Sequence, residues 1–373
     1  MINKIIHISL GKANPNRMNG VNKVLHSLLS AQSEIVSEVE FWGISFSKKH
    51  NYPVRPFNTR LYSDTRLKFK LDSKLKLAIS KLTEDENVIV HLHGAFLPQL
   101  FSVSRLLVAN NIPYIFTPHG GYNIRALQKS KLMKRAYMKT IEGYIVKNAK
   151  SVQLIGASEA EGLIRFMKPR HFKIIPNGQV SASKNLTKIP KKENGLNIGY
   201  LGRIDIQTKG LDILLKALVL VKEEVIIKLS VIGKGGEMKK LKSEVQKLQL
   251  SRQVEFKGAL FGDEKLEALA QLDAFFLVSR NEGLPGVVLE AAAVGVPSVV
   301  SVQTNLSEYI KKANAGWVMS EYNENELARI IVEIRNDKAN HLIDIKGKNA
   351  AEMIRNVFCW KEIAESLNLL YAA

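Results

Sequence analysis

Two cations and two carboxylates in the second half of the chain stand where a parallel sheet binds ligands. Arg203 and Lys209 follow the strand-like run Leu196–Leu201, and Glu282 and Glu290 follow the apolar run AFFLV. Residues just past the carboxyl ends of parallel strands line the ligand crevice of α/β sheets. We expect Lys209 to open the next helix. A cation at a helix start interacts unfavourably with the helix dipole, so a lysine there is costly unless an anion lies nearby. Arg203 and Lys209 together suit a diphosphate, although two solvated surface cations would give the same sequence pattern.

The segment SRNEGLPGVVLE, residues 279–290, joins its two carboxylates through a turn rich in glycine and proline. The turn predicts Glu282 on a loop at the sheet edge and Glu290 about one turn into the following helix. Amides near the start of that helix can meet ligand oxygens, and they belong to Leu284, Gly286 and Val287. One carboxylate can accept from a sugar hydroxyl and the other from ribose, so a nucleotide-sugar fits the pattern. One alternative is that the two carboxylates form the acid–base pair of a hydrolase. Another is that they are ordinary charges at a helix start, which the glycines and proline of the turn disfavour.

Histidines end two neighbouring strand-like runs of the first half. His119 stands in TPHGG between Pro118 and Gly120, a backbone that indicates a positioned side chain rather than a turn filler. His91 and His93 end the run NVIVHLH, where they could line an acceptor site or pack at the sheet edge. A zinc site from His91, His93 and His119 has no carboxylate or thiol to complete it, so we expect no metal there.

The second half resembles the retaining glycosyltransferases of family four, which have the GT-B fold and include bacterial enzymes of surface-polysaccharide synthesis. The resemblance rests on GRIDIQTKG, IGKGGE and the Glu-x7-Glu segment followed by AAAVGVPSV, in this order over residues 196–300. The first half resembles the same family through TPHGG, ASEAEG and IIPNG. Together these segments extend the resemblance over most of the chain.

This resemblance implies a role for each matching residue. Arg203 and Lys209 would neutralise the donor diphosphate. Glu282 would contact the transferred sugar, Glu290 would bind the ribose hydroxyls, and His119 would face the sugar and the reaction centre. The implied catalytic set is His119, Arg203, Lys209 and Glu282. Further donor-binding positions are Gly20, Gly258, Gly283, Leu284, Gly286 and Val287, and acceptor-side positions are His93, Asn123 and Arg125.

Gly20 lies in the loop after the first predicted strand, where it would let backbone amides approach the donor phosphate. Many members of the family have two adjacent glycines there, whereas this chain reads Met18-Asn19-Gly20-Val21. Backbone groups near residues 258–260 would bind the nucleotide base of the donor. We expect UDP rather than GDP as the nucleotide.

The motifs that would bind a metal or a dinucleotide are incomplete. The chain has no Asp-x-Asp, with which metal-dependent glycosyltransferases of the other common fold usually hold a divalent cation. Fixed cations would take that role, so we expect no metal and no cofactor. The run Gly233-Lys234-Gly235-Gly236 lacks the full spacing of a dinucleotide fingerprint, which disfavours a dehydrogenase.

Apolar runs of strand length alternate with amphipathic stretches of helix length in both halves, which predicts an α/β protein with parallel sheets. Strands are predicted at Lys4–Leu10, Leu196–Leu201 and Ser298–Ser301, among others, and a helix at Leu211–Val221. We expect the GT-B arrangement of two Rossmann-like domains facing each other across a cleft. The domains would cover 1–178 and 195–355, with a linker at 179–194 and a C-terminal helix at 356–373 that crosses back to the first domain.

The composition excludes several classes of protein. Among the 373 residues, 46% are hydrophobic and 24% charged, which excludes global disorder. The single cysteine, Cys359, excludes a disulfide framework and a thiolate zinc cage and fits a reducing cytoplasm. The longest uncharged run, residues 291–307, is interrupted by Gly295 and Pro297, so we expect no membrane span.

The net charge of +19 is concentrated in the first half of the chain. Residues 1–180 hold 27 Lys and Arg against 11 Asp and Glu, whereas residues 181–373 hold 27 against 24. A one-sided field attracts an anionic partner such as nucleic acid, a phospholipid surface or a phosphorylated substrate. The basic stretches at 66–81 and 129–139 carry apolar side chains beside their cations, which favours an anionic membrane surface. Aromatic residues are too sparse among these cations for nucleic acid to be expected.

The resemblance, together with these observations, predicts a retaining, metal-independent glycosyltransferase. It would move a sugar from a nucleoside diphosphate to a glycan or polyprenyl-linked acceptor during synthesis of an O-antigen, capsule or exopolysaccharide. We expect it in the cytoplasm, peripheral at the inner face of the cell membrane. The alternatives are a basic, non-enzymatic protein that binds nucleic acid or a membrane surface, and a GT-B nucleotide-sugar epimerase.

Overall fold

The computed structural model describes residues 2–16, 20–65, 67–84, 87–124, 127, 135–180 and 195–373. The chain divides into two compact units, each built around one sheet. The first unit is Met1–Gly178 together with Trp360–Ala373, and the second is Gln179–Cys359. From residue 181 onward the linker predicted at 179–194 lies outside the described residues.

The first unit contains a seven-stranded sheet whose paired strands run parallel. The strands are β1 (Lys4–Leu10), β2 (Glu38–Ser45), β3 (Asn58–Ser63), β4 (Val88–His93), β5 (Tyr114–Thr117), β6 (Ser151–Leu154) and β7 (Phe172–Ile174). Their order across the sheet is β3-β2-β1-β4-β5-β6-β7. The order therefore reverses between β1 and β4, which is the kind of position where open α/β sheets bind ligands.

Helices pack on both faces of the first sheet. They are α1 (Gly20–Gln32), α2 (Ser73–Ser80), α3 (Pro98–Ala109), α4 (Gly143–Asn148), α5 (Ala157–Phe166) and the last helix of the chain, α14 (Trp360–Ala372). Alternate side chains of a strand point to opposite faces, so β1 contributes to two apolar clusters. Ile5 of β1 packs with Leu28 of α1 and Leu367 of α14, whereas Ile6 belongs to the cluster that includes Leu100 of α3.

The second unit contains a six-stranded sheet, again with parallel pairs. The strands are β8 (Leu196–Leu201), β9 (Ile227–Ile232), β10 (Val254–Gly258), β11 (Ala274–Leu277), β12 (Ser298–Ser301) and β13 (Gly316–Met319). Their order is β10-β9-β8-β11-β12-β13, so the reversal here lies between β8 and β11.

The helices of the second unit surround one large apolar core. They are α6 (Ile206–Lys209), α7 (Leu211–Val221), α8 (Met238–Lys247), α9 (Gly262–Ala270), α10 (Gly286–Ala293), α11 (Ser307–Ala313), α12 (Glu324–Ala339) and α13 (Leu342–Val357). Because α13 runs to Val357, the last helix begins at Trp360 and not at the expected residue 356. Among the described helices, none combines the length and apolarity that crossing a bilayer requires.

Candidate functional site

Lys209 and Glu282 meet where the second sheet reverses its strand order. Lys209 follows β8 and Glu282 follows β11, the neighbouring strands on either side of that point. The Lys209 ammonium donates a hydrogen bond to Glu282 Oε1, and Ser279 Oγ donates to the same oxygen at 3.2 Å. The two charged side chains are only 18% and 16% exposed. The fold thus brings a cation and a carboxylate predicted from the sequence together at the ligand-binding edge of the sheet.

The short helix α6 presents Lys209 at its end. Asp205 caps the start of α6 by accepting from the amide of Thr208 at 3.1 Å, and Gly210 follows the helix in a left-handed conformation with φ 71°. A Cβ at Gly210 would lie 2.1 Å from a carbonyl oxygen, so only glycine fits. The expectation that Lys209 opens a helix is wrong, because it closes α6, where a cation is favourable. Its position therefore does not by itself demand an anion.

Arg203 extends into solvent beside this pair. Its side chain is 73% exposed, and Asp205 Oδ2 lies 3.6 Å from its guanidinium. The Tyr200 hydroxyl donates to the carbonyl oxygen of Arg203 at 2.7 Å and holds the backbone in place. The guanidinium can therefore turn toward an incoming anion while its backbone stays fixed.

Arg280 ties the loop that carries Glu282 to the helices on either side of Lys209. Its guanidinium donates two hydrogen bonds of 2.7 Å to Asp212 in the first turn of α7, and one of 2.6 Å to the carbonyl oxygen of Gln207 in α6. Hydrogen bonding to Asp212 raises the pKa of Arg280. The sequence analysis missed this residue. Its only sequence signal is its place two residues before the first glutamate of the motif.

The turn between β11 and α10 presents backbone amides. The first amides of a helix have no carbonyl one turn earlier to bond, and in α10 they belong to Gly286 and Val287. Asn305 Nδ2 donates to the Gly283 carbonyl oxygen at 2.7 Å and holds the turn, while Leu284 packs against the core. A Cβ on Gly286 would meet no atom within 4 Å, so space beside these amides is open.

Glu290 lies in the middle of α10 with one oxygen bonded and one not. Its Oε1 accepts from the ammonium of Lys265 on α9 at 2.7 Å. Its Oε2 is buried and has no hydrogen-bond partner among the described residues. A buried acceptor without a partner is costly, so this geometry suits a ligand hydroxyl that donates to Oε2. Lys265 was not predicted, because nothing in the sequence marks α9 as a neighbour of α10.

Glycines follow β8 and β9, and a glycine is the last residue of β10, at the same edge. Gly258 ends β10 with φ 72°, and its carbonyl oxygen accepts from the amide of Gly233 at 2.6 Å. A Cβ at Gly233 would lie 1.9 Å from the carbonyl oxygen of Gly202, whereas a Cβ at Gly258 would meet no atom within 4 Å. Packing therefore requires glycine at 233, while the left-handed backbone favours it at 258 and leaves open space there.

In the first unit, His119 follows β5 in a left-handed conformation with φ 51°. Gly120 continues the turn with φ 83° and donates its amide to Glu159 Oε1 at 2.6 Å. Glu159 Oε2 accepts from the amide of Ile155 at 3.0 Å, and burial raises the pKa of Glu159 to about 7. The unusual backbone expected from Pro-His-Gly is present, and a buried carboxylate holds it.

Three further imidazoles lie behind His119. His93 Nδ1 is 2.9 Å from His119 Nε2, and His7 Nδ1 is 2.8 Å from His93 Nε2. His7 lies opposite His91 in the pairing of β1 with β4, and His7, His91 and His93 are all 0% exposed. His93 was expected on the acceptor side, but its burial and its two imidazole neighbours make it a support for His119. His7 was missed, and its only signal is a polar residue inside the apolar run KIIHISL.

The buried imidazoles also have the spacing of a metal site. His7, His91 and His93 each place a ring nitrogen within 4.8 Å of the others. This set contains His7 in place of the His119 considered from the sequence, because β1 and β4 are neighbours. Hydroxyl groups engage both ring nitrogens of His91, at 2.7 Å each, so the hydrogen bonds already satisfy it without an ion.

The remaining predicted positions differ in exposure. Gly20 is the exposed first residue of α1, and a Cβ there would meet no atom within 4 Å. Asn123 is only 4% exposed and donates from Nδ2 to Ser158 Oγ at 3.1 Å, so it holds the turn after His119 and does not line a surface. Arg125 lies outside the described residues.

Two family models match the chain, one in each half. The model described as Glycosyltransferase Family 4 matches residues 18–179, and the model described as Glycosyl transferases group 1 matches residues 182–356. The putative colanic acid biosynthesis glycosyltransferase WcaL of Escherichia coli (strain K12) is 26% identical over 174 residues, which cover 45% of this chain and 43% of that protein. N-acetyl-alpha-D-glucosaminyl L-malate synthase of Bacillus anthracis is 22% identical over 375 residues, 98% of this chain and 92% of that protein.

A similar solved structure is that of Alr3699/HepE from Anabaena in complex with UDP. It superimposes with a TM-score of 0.74 at 16% identity and covers 99% of both chains. At that identity the likeness shows the fold alone, and it confirms the predicted α/β architecture of the GT-B type. The match with WcaL spans less than half of that protein. Because the two family models together extend over nearly the whole chain, the chain belongs to family 4 of the glycosyltransferases.

Proposed function

We propose that this chain is a retaining, metal-independent glycosyltransferase that moves a sugar from a nucleoside diphosphate to a glycan. The observation that carries the proposal is the Lys209–Glu282 pair, which lies at the reversal of the second sheet. A fixed ammonium there suits a diphosphate, as do the free amides of a helix start, and a carboxylate suits a sugar hydroxyl.

Lys209 and Arg203 would carry the charge of the leaving diphosphate. Lys209 supplies a charge that Glu282 already holds in place, and the exposed Arg203 supplies a second one. The amides of Gly286 and Val287 add partial positive charge at the start of α10. Groups in place before the leaving group develops its charge stabilise the transition state without reorganising. These cations would do what a bound metal does in other enzymes, so the proposal requires no metal and no cofactor.

The two glutamates would bind the two sugar rings of the donor. Lys265 holds Glu290 Oε1, so the unpartnered Oε2 would accept from a ribose hydroxyl. Glu282 would contact the transferred sugar. The open space beside Gly258 would admit the base. We favour UDP over GDP, a choice that the UDP complex of Alr3699/HepE supports.

In the proposed reaction, the acceptor hydroxyl attacks the anomeric carbon from the face that the diphosphate leaves. The bond from the anomeric carbon to the phosphate oxygen breaks as the bond to the acceptor oxygen forms. An oxygen of the leaving phosphate takes the acceptor proton, and the anomeric configuration is retained. Glu282 would not act as a nucleophile, because Lys209 and Ser279 both donate to its Oε1.

We further propose that the acceptor is a glycan or polyprenyl-linked glycan of the cell surface, reached at the inner face of the cell membrane. The name of WcaL assigns that relative to colanic acid biosynthesis. The segment 67–81 of the first unit has a surface that suits lipid headgroups, because exposed apolar side chains alternate with exposed lysines. The apolar ones are Leu67, Phe69 and Leu77, at 67%, 52% and 58% exposure, and the lysines are Lys68, Lys70, Lys74, Lys76 and Lys81. Of the second basic stretch, 129–139, residues up to 134 lie outside the described part.

A thermal-shift screen of UDP-, GDP- and ADP-sugars on the full chain tests the proposed donor class. We expect a UDP-sugar to raise the Tm of the wild type more than it raises that of Lys209→Ala. Lys216→Ala is the matched control, because Lys216 on α7 is 55% exposed and pairs with Glu324 instead. If no nucleotide-sugar raised the Tm of the wild type, the proposed function would be contradicted.

A further inference from the structure

Arg55, on the loop 46–57 between β2 and β3, has two buried donor atoms that no hydrogen bond uses. Its Nη1 donates to the carbonyl oxygen of Lys12 at 3.0 Å and to Thr59 Oγ1 at 3.4 Å. The Tyr52 ring covers one face of the guanidinium, at 3.4 Å from centroid to carbon. Nε and Nη2 are buried and have no partner among the described residues. These two nitrogens form one edge of the guanidinium, and their parallel N–H groups match two oxygens of a carboxylate or a phosphate.

Arg60 on β3 uses the same edge of its guanidinium to bind an anion. Its Nε lies 2.8 Å from Glu40 Oε2, and its Nη2 donates to Glu40 Oε1 at 3.0 Å. The corresponding donors of Arg55 pair with no carboxylate among the residues that the structure describes. Burial also lowers the pKa of Arg55. Because a buried cation is costly unless an anion pairs with it, the free edge of Arg55 indicates a site for an anionic ligand.

His26 of α1 lies close to Arg55 and has a third donor atom of this kind. Both groups lie against Phe57, whose ring centroid is 5.8 Å from that of His26 and 5.0 Å from the guanidinium carbon of Arg55. His26 Nε2 is buried and has no partner in the described part of the chain. Burial lowers the pKa of His26, and the charge of Arg55 lowers it further. The imidazole is therefore neutral at pH 7 and can donate its single N–H from Nε2.

Hydrogen bonds fasten the loop that follows β1 to the loop that carries Arg55. Lys12 is 4% exposed, and its ammonium donates to the carbonyl oxygen of Lys49 at 2.6 Å and to Asn51 Oδ1 at 3.0 Å. Asn14 Nδ2 donates to the carbonyl oxygen of Asn51 at 2.9 Å. With the bond from Arg55 to Lys12, these contacts orient the guanidinium before any ligand binds, which lowers the cost of ordering it.

The segments that form this cluster carry positive charge and no acidic residue. Residues 1–33 and 41–63 together hold eight Lys and Arg and no Asp or Glu, and they supply half of the net +16 of residues 1–180. Such a field favours an anion of high charge. A phosphate group carries about two negative charges and three strong acceptor oxygens, enough for both donors of Arg55 and for His26. A carboxylate offers only two oxygens and one charge, so the cluster suits phosphate better.

We propose that Arg55 and His26 form a phosphate-binding site in the first unit, in which two phosphate oxygens accept from Nε and Nη2 of Arg55 and a third accepts from His26 Nε2. The phosphate group belongs to inorganic phosphate or to a lipid phosphate ester, which offer these donors the same oxygens. The inference goes beyond the proposed function, since it requires neither a nucleotide nor a sugar. Tyr52 and Arg55 are half-buried on a loop without helix or strand, so a shift of that loop can admit the phosphate.

Nitrogen NMR of the full chain labelled with ¹⁵N-arginine reads this site directly. The Nε–H signal of Arg55 is identified by its loss in Arg55→Lys. Inorganic phosphate should move this proton signal downfield, because a charge-assisted hydrogen bond forms there. The Nε–H signal of Arg60 is the internal control and should stay in place, since Glu40 already occupies that edge. Phosphate held by cations elsewhere in the chain would not move the Arg55 signal.

Two variants, each read at the other partner, measure how much each side chain contributes. His26→Phe keeps a ring against Phe57 but has no ring nitrogen, so phosphate affinity read from the Arg55 signal should fall about fivefold. Arg55→Lys keeps the charge but loses the paired donors, so affinity read from the ¹⁵N-histidine signal of His26 should fall about tenfold. Arg60→Lys is the matched control and should leave both affinities unchanged. The His26→Phe titration stands by itself if Arg55→Lys fails to fold.

A soluble short-chain prenyl phosphate distinguishes the two sources of the phosphate group. If it moves the Arg55 signal at lower concentrations than inorganic phosphate does, the ligand is a lipid phosphate ester, and otherwise it is the free ion. The proposal is overturned if neither compound moves the Arg55 signal of the wild type, or if the variants that fold keep the wild-type affinity. A shift of the Arg55 signal in a protein that binds no nucleotide-sugar would contradict the proposed function and support the phosphate site.

Discussion

Lys209 and Glu282 are 73 residues apart in sequence and meet because β8 and β11 are neighbours in the second sheet. Their pairing leaves the ammonium mostly enclosed and already oriented, so a diphosphate can use its charge without first ordering a flexible side chain. Without the Lys209 ammonium, both Glu282 and a bound diphosphate would lose a cationic partner.

We expect Lys209→Ala to lower kcat by about 10²–10³, or about 2.7–4 kcal/mol, because it removes a preorganised charge that in our proposal faces the leaving diphosphate. Steady-state kinetics of sugar transfer measure the effect. Lys216→Ala should retain the wild-type kcat. An unchanged kcat in Lys209→Ala, with an unchanged Tm, would show that the ammonium does not act on the diphosphate.

Glu142 is a buried carboxyl group on the π-helical turn Met138–Glu142 of the first unit. It accepts from the Tyr122 hydroxyl and from the amide of Phe96, the latter at 2.9 Å. Burial raises its pKa from 4.5 to about 7. Between these pH values, the folded protein keeps a proton that the unfolded chain has released. This group therefore lowers the free energy of unfolding as the pH rises through that window.

Glu142→Gln should remove this loss of stability, because an amide has no proton to release. Relative to the variant, the wild type should lose on the order of 3 kcal/mol between pH 4.5 and pH 7. Melting temperatures of both proteins across that range give the difference. Glu161→Gln, which removes an exposed carboxylate paired with Arg165, should keep a constant difference from the wild type. A constant difference for Glu142→Gln as well would mean that Glu142 is ionised in the fold.

The functional positions of single residues could be predicted from the sequence where those residues lie just after the end of an apolar strand. Lys209, Glu282 and His119 each come soon after an apolar run, so their neighbourhood could be inferred from local sequence. Arg280 and His7 were missed, because their partners lie in distant segments and only the strand order brings them together. Asn123 was predicted on the acceptor side, but it is buried and its side chain donates to Ser158 Oγ.

At the scale of elements, the site depends on how the β11–α10 loop is fastened to the corner between α6 and α7. Arg280 makes three side-chain hydrogen bonds there and lies over the ring of Tyr322, at 4.9 Å from its centroid. Tyr322 in turn donates its hydroxyl to the carbonyl oxygen of Val278 at 2.6 Å. The planar guanidinium matches the carboxylate of Asp212 in a way that a lysine cannot.

Arg280→Lys should therefore weaken the attachment of the loop to Asp212 while keeping the positive charge at position 280. We expect the KM for the nucleotide-sugar to rise about tenfold, since the loss of one charge-assisted hydrogen bond costs about 1.5–3 kcal/mol. Arg329→Lys is the control, because Arg329 on α12 makes comparable contacts with Glu326 and Glu333 at an exposed position. Equal KM values in the wild type and Arg280→Lys would show that the loop does not need this clamp.

Helices and strands whose apolar residues repeat with a clear period could be predicted from the sequence. A polar strand at the edge of a sheet could not. Leu196–Leu201, Leu211–Val221 and Ser298–Ser301 have the predicted bounds, because their buried faces repeat as strand or helix geometry requires. Asn58–Ser63 is a strand at the edge of its sheet, and its sequence NTRLYS carries too little apolar alternation to predict it. The four-residue helix that ends at Lys209 is too short to leave a period.

At the scale of the whole molecule, the excess charge and the exposed apolar side chains coincide in the first unit. The segment 67–81 shows five exposed lysines beside Leu67, Phe69 and Leu77. Residues 1–180 carry a net +16 and residues 181–373 only +3. The asymmetry was visible from the sequence, but the exposure of the apolar side chains required the structure.

We expect the full chain to bind anionic vesicles and to lose this binding when Lys70, Lys74 and Lys76 are changed to Glu. Each cation near the surface contributes about 1 kcal/mol, and salt should weaken the binding as the Debye length falls from about 10 Å at 0.1 M to about 3 Å at 1 M. Vesicle co-sedimentation measures it. The control reverses Lys239, Lys240 and Lys247 of α8 in the second unit. If both triple variants bind as the wild type does, the segment 67–81 is only a solvated face.

The central claim is that the second unit binds a nucleoside-diphosphate sugar through fixed cations. Isothermal titration calorimetry of the chelator-treated wild type with a UDP-sugar tests it most directly. The account predicts binding in EDTA, weakened about tenfold or more in Lys209→Ala, since a lost charge-assisted hydrogen bond costs at least about 1.5 kcal/mol. Lys216→Ala should bind as the wild type does. Absence of binding in EDTA that magnesium or manganese restores, or equal binding by Lys209→Ala and the wild type, would contradict it.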